Sequence, residues 1–488
     1  MESPIRGDSA AGLYFPSSPA YAFQTPRGNL MFASFFPSPR LFFLSALVWT
    51  AIGMLIWYAV GRDLGETLSL GPLIGIGYPP PLGEGADAAA QAASRAAQTR
   101  AIDVWLYQYM IVAGAIFAFI WYRLSPHRWF WWSVVVSFII LFIIWFQVQL
   151  DVMINEWFGV FYDMIQAALA EPDSITISDY YTQLLTFTTI AMVFITVAVL
   201  NNFLVSHYIF RWRTAMNEYY TANWERLRHI EGASQRIQED TMRFASVMEG
   251  LGVRLVDSVM TLIAFLPILW VLSEHVKVIP ILGTVPQALV IVALVWAVFG
   301  TGILALAGIR LPGLEFRNQR VEAAYRKELV LGEDHADRAQ PPTLAMLFAD
   351  VRRNYFRIYL NYLYFNVARY GYLQAGVMVP YVALAPTIVA AGFTLGVMQQ
   401  ILRAFDRVQE SFQFLVNSWT TIIELISIYK RLKAFEATLY DQPLGEIEKE
   451  APGTGLAAAG ELGDREHAPG RIVPHVRPWV VGSSHGDG

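Results

Sequence analysis

Cysteine is absent from all 488 residues, which excludes a disulfide framework and any thiolate-ligated metal site. Charge is scarce too. Asp, Glu, Lys and Arg make up 15% of the chain, against about a quarter in an average soluble domain. The lysines stand at 277, 327, 430, 433 and 449, and none follows a glycine. A P-loop needs Gly-x-x-x-x-Gly-Lys-Ser/Thr, because its backbone amides and that lysine hold the phosphates. No nucleotide site of that kind is expected, and little more than a tail follows the last apolar block. His127, His207 and His229 stand isolated, and the histidines near the C-terminus lack a ligand spacing. No metal, cofactor, nucleic-acid or catalytic site is therefore expected. The first 30 residues carry no apolar h-region and do not read as a signal peptide. Met31 heads an aromatic lead-in to the first apolar block and is an alternative start.

Apolar residues, by contrast, reach 55% and are gathered into long blocks. A bilayer core needs roughly 20 mainly apolar residues per helix. The blocks run over 41–60, 105–124, 133–150, 184–210, 253–272 and 288–309. Two weaker ones cover 356–379, which carries Arg369, and 381–402. The pattern predicts an all-α membrane protein with about eight transmembrane helices.

Basic residues divide the loops into two sets. Between 151 and 183 there is no Lys or Arg, although Asp151, Glu156, Asp163, Glu171, Asp173 and Asp179 are there. The stretch 373–380 has none either, and 273–287 has only Lys277. The alternate segments are basic: Arg123 and Arg128; Arg211 to Arg243; nine basic residues from 310 to 357; and Arg403, Arg407, Lys430, Arg431 and Lys433. The positive-inside rule then puts both termini and all these segments in the cytoplasm. Residues 61–103 become an external, poorly structured loop, with Arg62, Arg95 and Arg100 as the exception. The acidic outer segments would attract cationic peptides, although excluding basic residues from that side produces the same pattern.

The internal segments carry helical periodicity, as in Trp224, Leu227 and Ile230, then Ile237, Phe244 and Val247. About 40 such residues make roughly 60 Å of helix, so the fourth and fifth spans are expected to extend into the cytoplasm. Residues 318–331 read the same way. Beyond Ala437 the Gly, Pro and Glu content predicts disorder. The expected domains are an extension at 1–30, a transporter domain at 31–436 and a tail at 437–488.

Paired spans with such extensions resemble the membrane half of an ABC exporter. The sequence itself is more specific. NNFLVSHYIFRWRTAMNEYYTANWERLRHIEGASQRIQEDTMRFA at 201–245 closely resembles the SbmA/BacA family of bacterial peptide transporters. So do LPGLEFRNQRVEAAYRKEL at 311–329, NSWTTIIELISIYKRLKAFE at 417–436, SPHRW at 125–129 and MFASFFPSPRLFFLSALVW at 31–49. The resemblance covers residues 31–436. It implies an inner-membrane homodimer with an ABC-exporter-like transmembrane fold and no nucleotide-binding domain. It also implies proton-driven import of varied peptides, including proline-rich and other antimicrobial peptides.

Proton coupling needs side chains that titrate, and carboxylates suit the role because burial raises their pKa toward neutrality. The resemblance places proton-linked glutamates at Glu239, Glu249, Glu322 and Glu333. The bland reading is solvated or paired glutamates, such as Glu239 with Arg243 at i,i+4, worth about 0.2–0.5 kcal/mol. Glu218, Glu225, Glu231 and Glu315 are read as structural pairs. Among charges in the apolar blocks, Arg254 and Asp257 read as a pair near the membrane surface, and Arg369 as facing the interior toward a carboxylate. Asp406 and Glu410, placed after the last span, could line an inner vestibule. Trp129, Trp131, Trp132, Trp145 and Trp157 read as interfacial and packing residues. The alternative function is a transmembrane subunit of an ABC-type transporter that recruits a separate ATPase.

Overall fold

The computed structural model describes residues 30–80, 87–230, 233–276, 278–280 and 283–439. The expected extension at 1–30 (bar Leu30), the tail beyond 439, Glu231 and Lys277 lie outside them. The chain divides into two units, 1–433 and 434–488. The described residues of the second belong to a helix that continues to Leu439, past the expected end at 436.

Ten main helices carry the described residues. They are α1 Pro39–Ile56, α2 Ala88–Leu124, α3 Ser137–Ala170, α4 Ile177–Ala222, α5 Thr241–Leu272, α6 Ala288–Gly308, α7 Leu311–Asp334, α8 Pro341–Val389, α9 Leu395–Asn417 and α10 Trp419–Leu439. One-turn π segments prolong α1 (Trp57–Gly61) and lead into α3 (Trp131–Val136) and α5 (Arg236–Asp240). No strand is present among the described residues.

Seven stretches are long and apolar enough to cross a membrane: Pro39–Gly61, Ala93–Leu124, Trp131–Ala170, Ile177–Ala222, Ala233–His275, Ala288–Asp334 and Pro341–Val389. The two weaker blocks of the sequence are redrawn. Residues 373–380 form no loop but lie inside α8, which runs unbroken through Pro380 and Pro386. Packed neighbours let such helices tolerate proline. Ala391, at φ 49°, then stops α8. The Gly392 amide donates to Thr387 and the Ala391 amide to Ile388, a Schellman stop with alanine in the place usually held by glycine.

Two more expectations give way to helix. Residues 88–103 are not loose chain: Asp87 caps α2 by accepting from the Ala90 amide, and the alanine run that follows has the highest helix propensity. Residues 151–170 are not a loop either, because α3 continues to Ala170 before a short turn and the Thr176–Asp179 capping box that opens α4. The internal segment 211–250 is helical as expected, but it breaks after Ala222 instead of running on.

α9 lies at the centre, packed on α3, α5 and α6. Its apolar stripe of Ile401, Leu402, Phe405 and Val408 joins Phe265 and Leu269 of α5 and Leu289 of α6, all buried. In lipid the hydrophobic effect does not press helices together, so close fit does. Gly396 of α9 supplies that fit against α3. A Cβ there would collide with the Gly159 carbonyl and the Asp163 carboxylate. Gly114 admits the ring of Phe138, and Gly300 that of Tyr372.

The lead-in segment is an aromatic wedge. Met31 and Phe35 are fully buried. The Trp212 indole donates to the Met31 carbonyl at 2.9 Å, and Phe32, Phe35 and Phe36 pack on the Trp212 ring.

Candidate functional site

Asp151 sits on α3 with its side chain 11% exposed. It accepts from Arg403 Nη2 at 2.5 Å, from Arg407 Nε at 2.7 Å and from Arg407 Nη2 at 3.1 Å. Arg403 also lies over the Phe158 ring, 5.0 Å from its centroid. The arrangement follows from α9's amphipathic period: Arg403 and Arg407 are one turn apart and so share a face. That face passes Asp151 because the start of α9 is fixed to α3 further along. There the Leu395 and Gly396 amides donate to Gln166 and Asp163 at 2.6 and 2.8 Å. Arg403 and Arg407 are therefore not loop residues after a span.

Around this triad stand further acids. Arg407 Nη1 reaches Glu410 at 3.3 Å. Asp257 on α5 lies in the field of Arg407, Asp151 and Glu410, and Asp406 in that of Glu410, Arg407 and Arg403. Asp257, Asp406 and Glu410 are exposed on the surface of the single chain. The expected Arg254–Asp257 pair does not form: Arg254 is exposed and neither side chain has an ion-pair partner among the described residues. An ionised group facing lipid costs about 2.5–3.5 kcal/mol on insertion scales, so such a face meets water or another protein surface.

The glutamates singled out by resemblance occupy different settings. Glu249 accepts from the Ser206 hydroxyl of α4 at 2.5 Å, tying α4 to α5. Glu239, in the π turn before α5, pairs with Arg243 at 2.8 Å and accepts from Gln235 at 2.9 Å. Glu322 and Glu333 are on α7, half-buried and exposed, without a hydrogen bond or ion pair among the described residues. The structure thus links none of these four directly to another. Arg369 is half-buried on α8, but among the described residues no carboxylate pairs with it and its buried Nε has no hydrogen-bond partner. Of the expected structural pairs, Glu218 binds Arg128 at 2.9 Å and Glu315 accepts from the Tyr362 hydroxyl at 3.1 Å.

A second cluster escaped the sequence reading. Asp240, 4% exposed, receives Arg431 of α10 through Nε at 3.2 Å and Nη2 at 2.9 Å, and Arg236 at 3.1 Å. Arg431 lies 191 residues from Asp240 in sequence, and no local period encodes that meeting. Beside it, Arg243, Glu315, Tyr362, Trp419 and Arg431 line a cavity of about 300 Å³ between α5, α7, α8 and α10. The tryptophans act in packing: Trp157 stacks on Phe161 at 4.5 Å and donates to the Gln183 carbonyl, and Arg211 lies over Trp132.

In the turn between α2 and α3, His127 Nδ1 meets the Ser125 carbonyl at 3.0 Å, and Nε2 meets the Phe35 carbonyl at 3.2 Å and the Ser133 hydroxyl at 3.1 Å, which can donate to a neutral ring. Burial outweighs these carbonyls and holds the imidazole below the usual histidine value of 6.5.

Seven long apolar helices, one of them (α3) joined to α9 by ion pairs, define a multi-pass membrane protein. Residues 126–440 match the model of the SbmA/BacA-like family, and the chain belongs to that family. It is similar to the inner membrane ABC transporter ATP-binding protein YddA of Escherichia coli, at 23% identity over 64% of this chain and 58% of that protein. An ABC transporter ATP-binding protein of Synechocystis is 24% identical over 50% of this chain and 36% of its own length. ABC transporter D family member 2, chloroplastic, of Arabidopsis thaliana is 22% identical over 47% and 33%. The chain thus spans less than two thirds of each of these relatives.

Proposed function

We propose that this protein is a homodimer of the bacterial inner membrane that imports peptides using the proton gradient, and that α9 makes an eighth crossing beside the seven apolar stretches, which leaves both termini cytoplasmic. The observation that carries the reading is the set of carboxylates carried by α3, α5 and α9 in an otherwise apolar bundle, Asp151, Asp257, Asp406 and Glu410, with Glu249 tied to Ser206 on α4. Carboxylates in such settings exchange protons according to conformation, and the sequence offers no P-loop lysine to bring energy in from ATP. The family supports proline-rich and other antimicrobial peptides as substrates. Glu239, Glu249, Glu322 and Glu333 are the proposed proton-coupling residues of the family motif, with Arg369, Asp406 and Glu410 along the path.

The experiment is uptake of a labelled proline-rich peptide into liposomes containing only this protein and an imposed pH gradient. Accumulation that collapses with a protonophore supports the reading. A second reading is favoured by the names of the relatives, all ABC transporter proteins: this chain would be the membrane half working with a separate ATPase. Uptake that needs ATP and a partner hydrolase, and ignores the protonophore, selects that reading and rejects the first.

A further inference from the structure

The ions gathered around Asp151 on α3, α5 and α9 do not balance. Asp151, Asp257, Asp406 and Glu410 stand against Arg403 and Arg407, four carboxylates to two guanidiniums. Their partners are shared unevenly. Asp151 is buried and takes bonds from both arginines. Glu410 leans on Arg407 from the next turn of α9. Asp257 has neither hydrogen bond nor ion pair among the described residues, although it belongs to a helix apolar enough to span a membrane.

The sharing at Asp151 has a physical consequence. A buried carboxylate stripped of its cation is strongly unfavourable, yet Asp151 can lose Arg407 and still be held by Arg403. Arg407 is therefore free to exchange partners without stranding a buried charge. Charged groups facing Asp257 come from α3 (Asp151) and α9 (Arg407 and Glu410), with Asp406 and Arg403 further along the same face. α6 carries no ionisable residue, α4 bonds Glu249 through Ser206 two turns away with His207 next to it in sequence, and Arg254 on α5 itself is exposed and unpaired among the described residues. Among these, Arg407 is the positive charge that acts on Asp257.

We propose that Asp257 carries a coupled proton, and that Arg407 is its exchangeable counter-ion, bound to Asp151 while Asp257 is protonated and drawn to Asp257 when it ionises. The exchange ties the proton to movement of α9 between α3 and α5. This rests on the proton-driven reading above and adds a residue outside the motif glutamates.

The test uses the full chain in liposomes and a fluorescent proline-rich peptide, read two ways: accumulation under an acid-outside gradient, and gradient-free exchange of labelled for unlabelled peptide. Asp257→Asn is expected to lose accumulation to the level of empty vesicles and to keep exchange. Asp257→Glu is expected to keep accumulation with a displaced pH profile. Asp257→Asn that accumulates peptide like the parent, or Asp257→Glu with an unshifted profile, overturns the assignment. So does an Asp257→Asn protein that loses both readouts, because that marks a structural role. Failure of the unmodified protein to accumulate peptide under the gradient overturns the proton-driven reading itself, and is seen before any variant is made.

Discussion

At Asp151 three charge-assisted hydrogen bonds converge on one carboxylate, and each arginine depends on it unequally. Asp151→Asn removes the shared partner and leaves two guanidiniums in the bundle. Breaking a buried pair from one side costs about 3–5 kcal/mol, and the partial exposure of both arginines puts the expected loss near the lower figure. It should appear as a lowered unfolding midpoint in detergent, with Arg403→Gln costing clearly less because Arg407 remains on Asp151. Equal losses from the two variants would contradict the sharing. His127 supplies a pH effect of definite sign. Its folded-state value is depressed below 6.5, so the neutral ring stabilises the turn above that pH, and the contribution is lost as pH falls beneath it. Proteolysis of the wedge at 31–38 should therefore accelerate as pH falls below about 6.5 and stay flat above it. His127→Gln should flatten the response, and a pH-independent rate in the unmodified protein would rule the idea out.

Helix contacts obey a different economy, in which a missing side chain matters as much as one present. Gly396→Ala forces a methyl group into the Gly159 carbonyl and the Asp163 carboxylate, an overpacking that costs about 1–3 kcal/mol. Gly302→Ala, where nothing lies within 4 Å, should be neutral, and thermal unfolding of the two proteins side by side checks the contrast. The first six spans were legible in the sequence because hydropathy averages over one helix at a time. That same averaging hid α9, whose Arg403, Asp406, Arg407 and Glu410 dilute a buried stripe of Ile401, Phe405 and Val408. It also split α8 at Pro380, since a single sequence cannot show the neighbours that support a proline inside a helix. Asp151 and Arg403 were each visible as charges, but 252 residues separate them, and no local period encodes that meeting. The motif glutamates were legible only through resemblance.

For the molecule as a whole, α4 poses the question of what surrounds it. In its most apolar stretch no residue is buried within the single chain, and Val199 and Phe203 are 61% and 66% exposed. Lipid or a second copy must cover that surface. The cysteine-free sequence allows single cysteines to be placed there without background. In a homodimer, some positions along α4 or α8 should form intermolecular disulfides in native membranes, whereas labelling by lipid-soluble probes at every position with no cross-link would argue for a monomer.

α9 carries four ionisable residues among its 23, too many for a nascent chain to partition into the bilayer unaided. The carboxylate that neutralises its arginines emerges from the ribosome some 250 residues earlier. Biogenesis is thus order-dependent: the acid waits in the membrane, and α9 can be integrated only by docking against helices already in place. Until translation has passed residue 407, Asp151 lacks one or both of the arginines that hold it in the finished bundle.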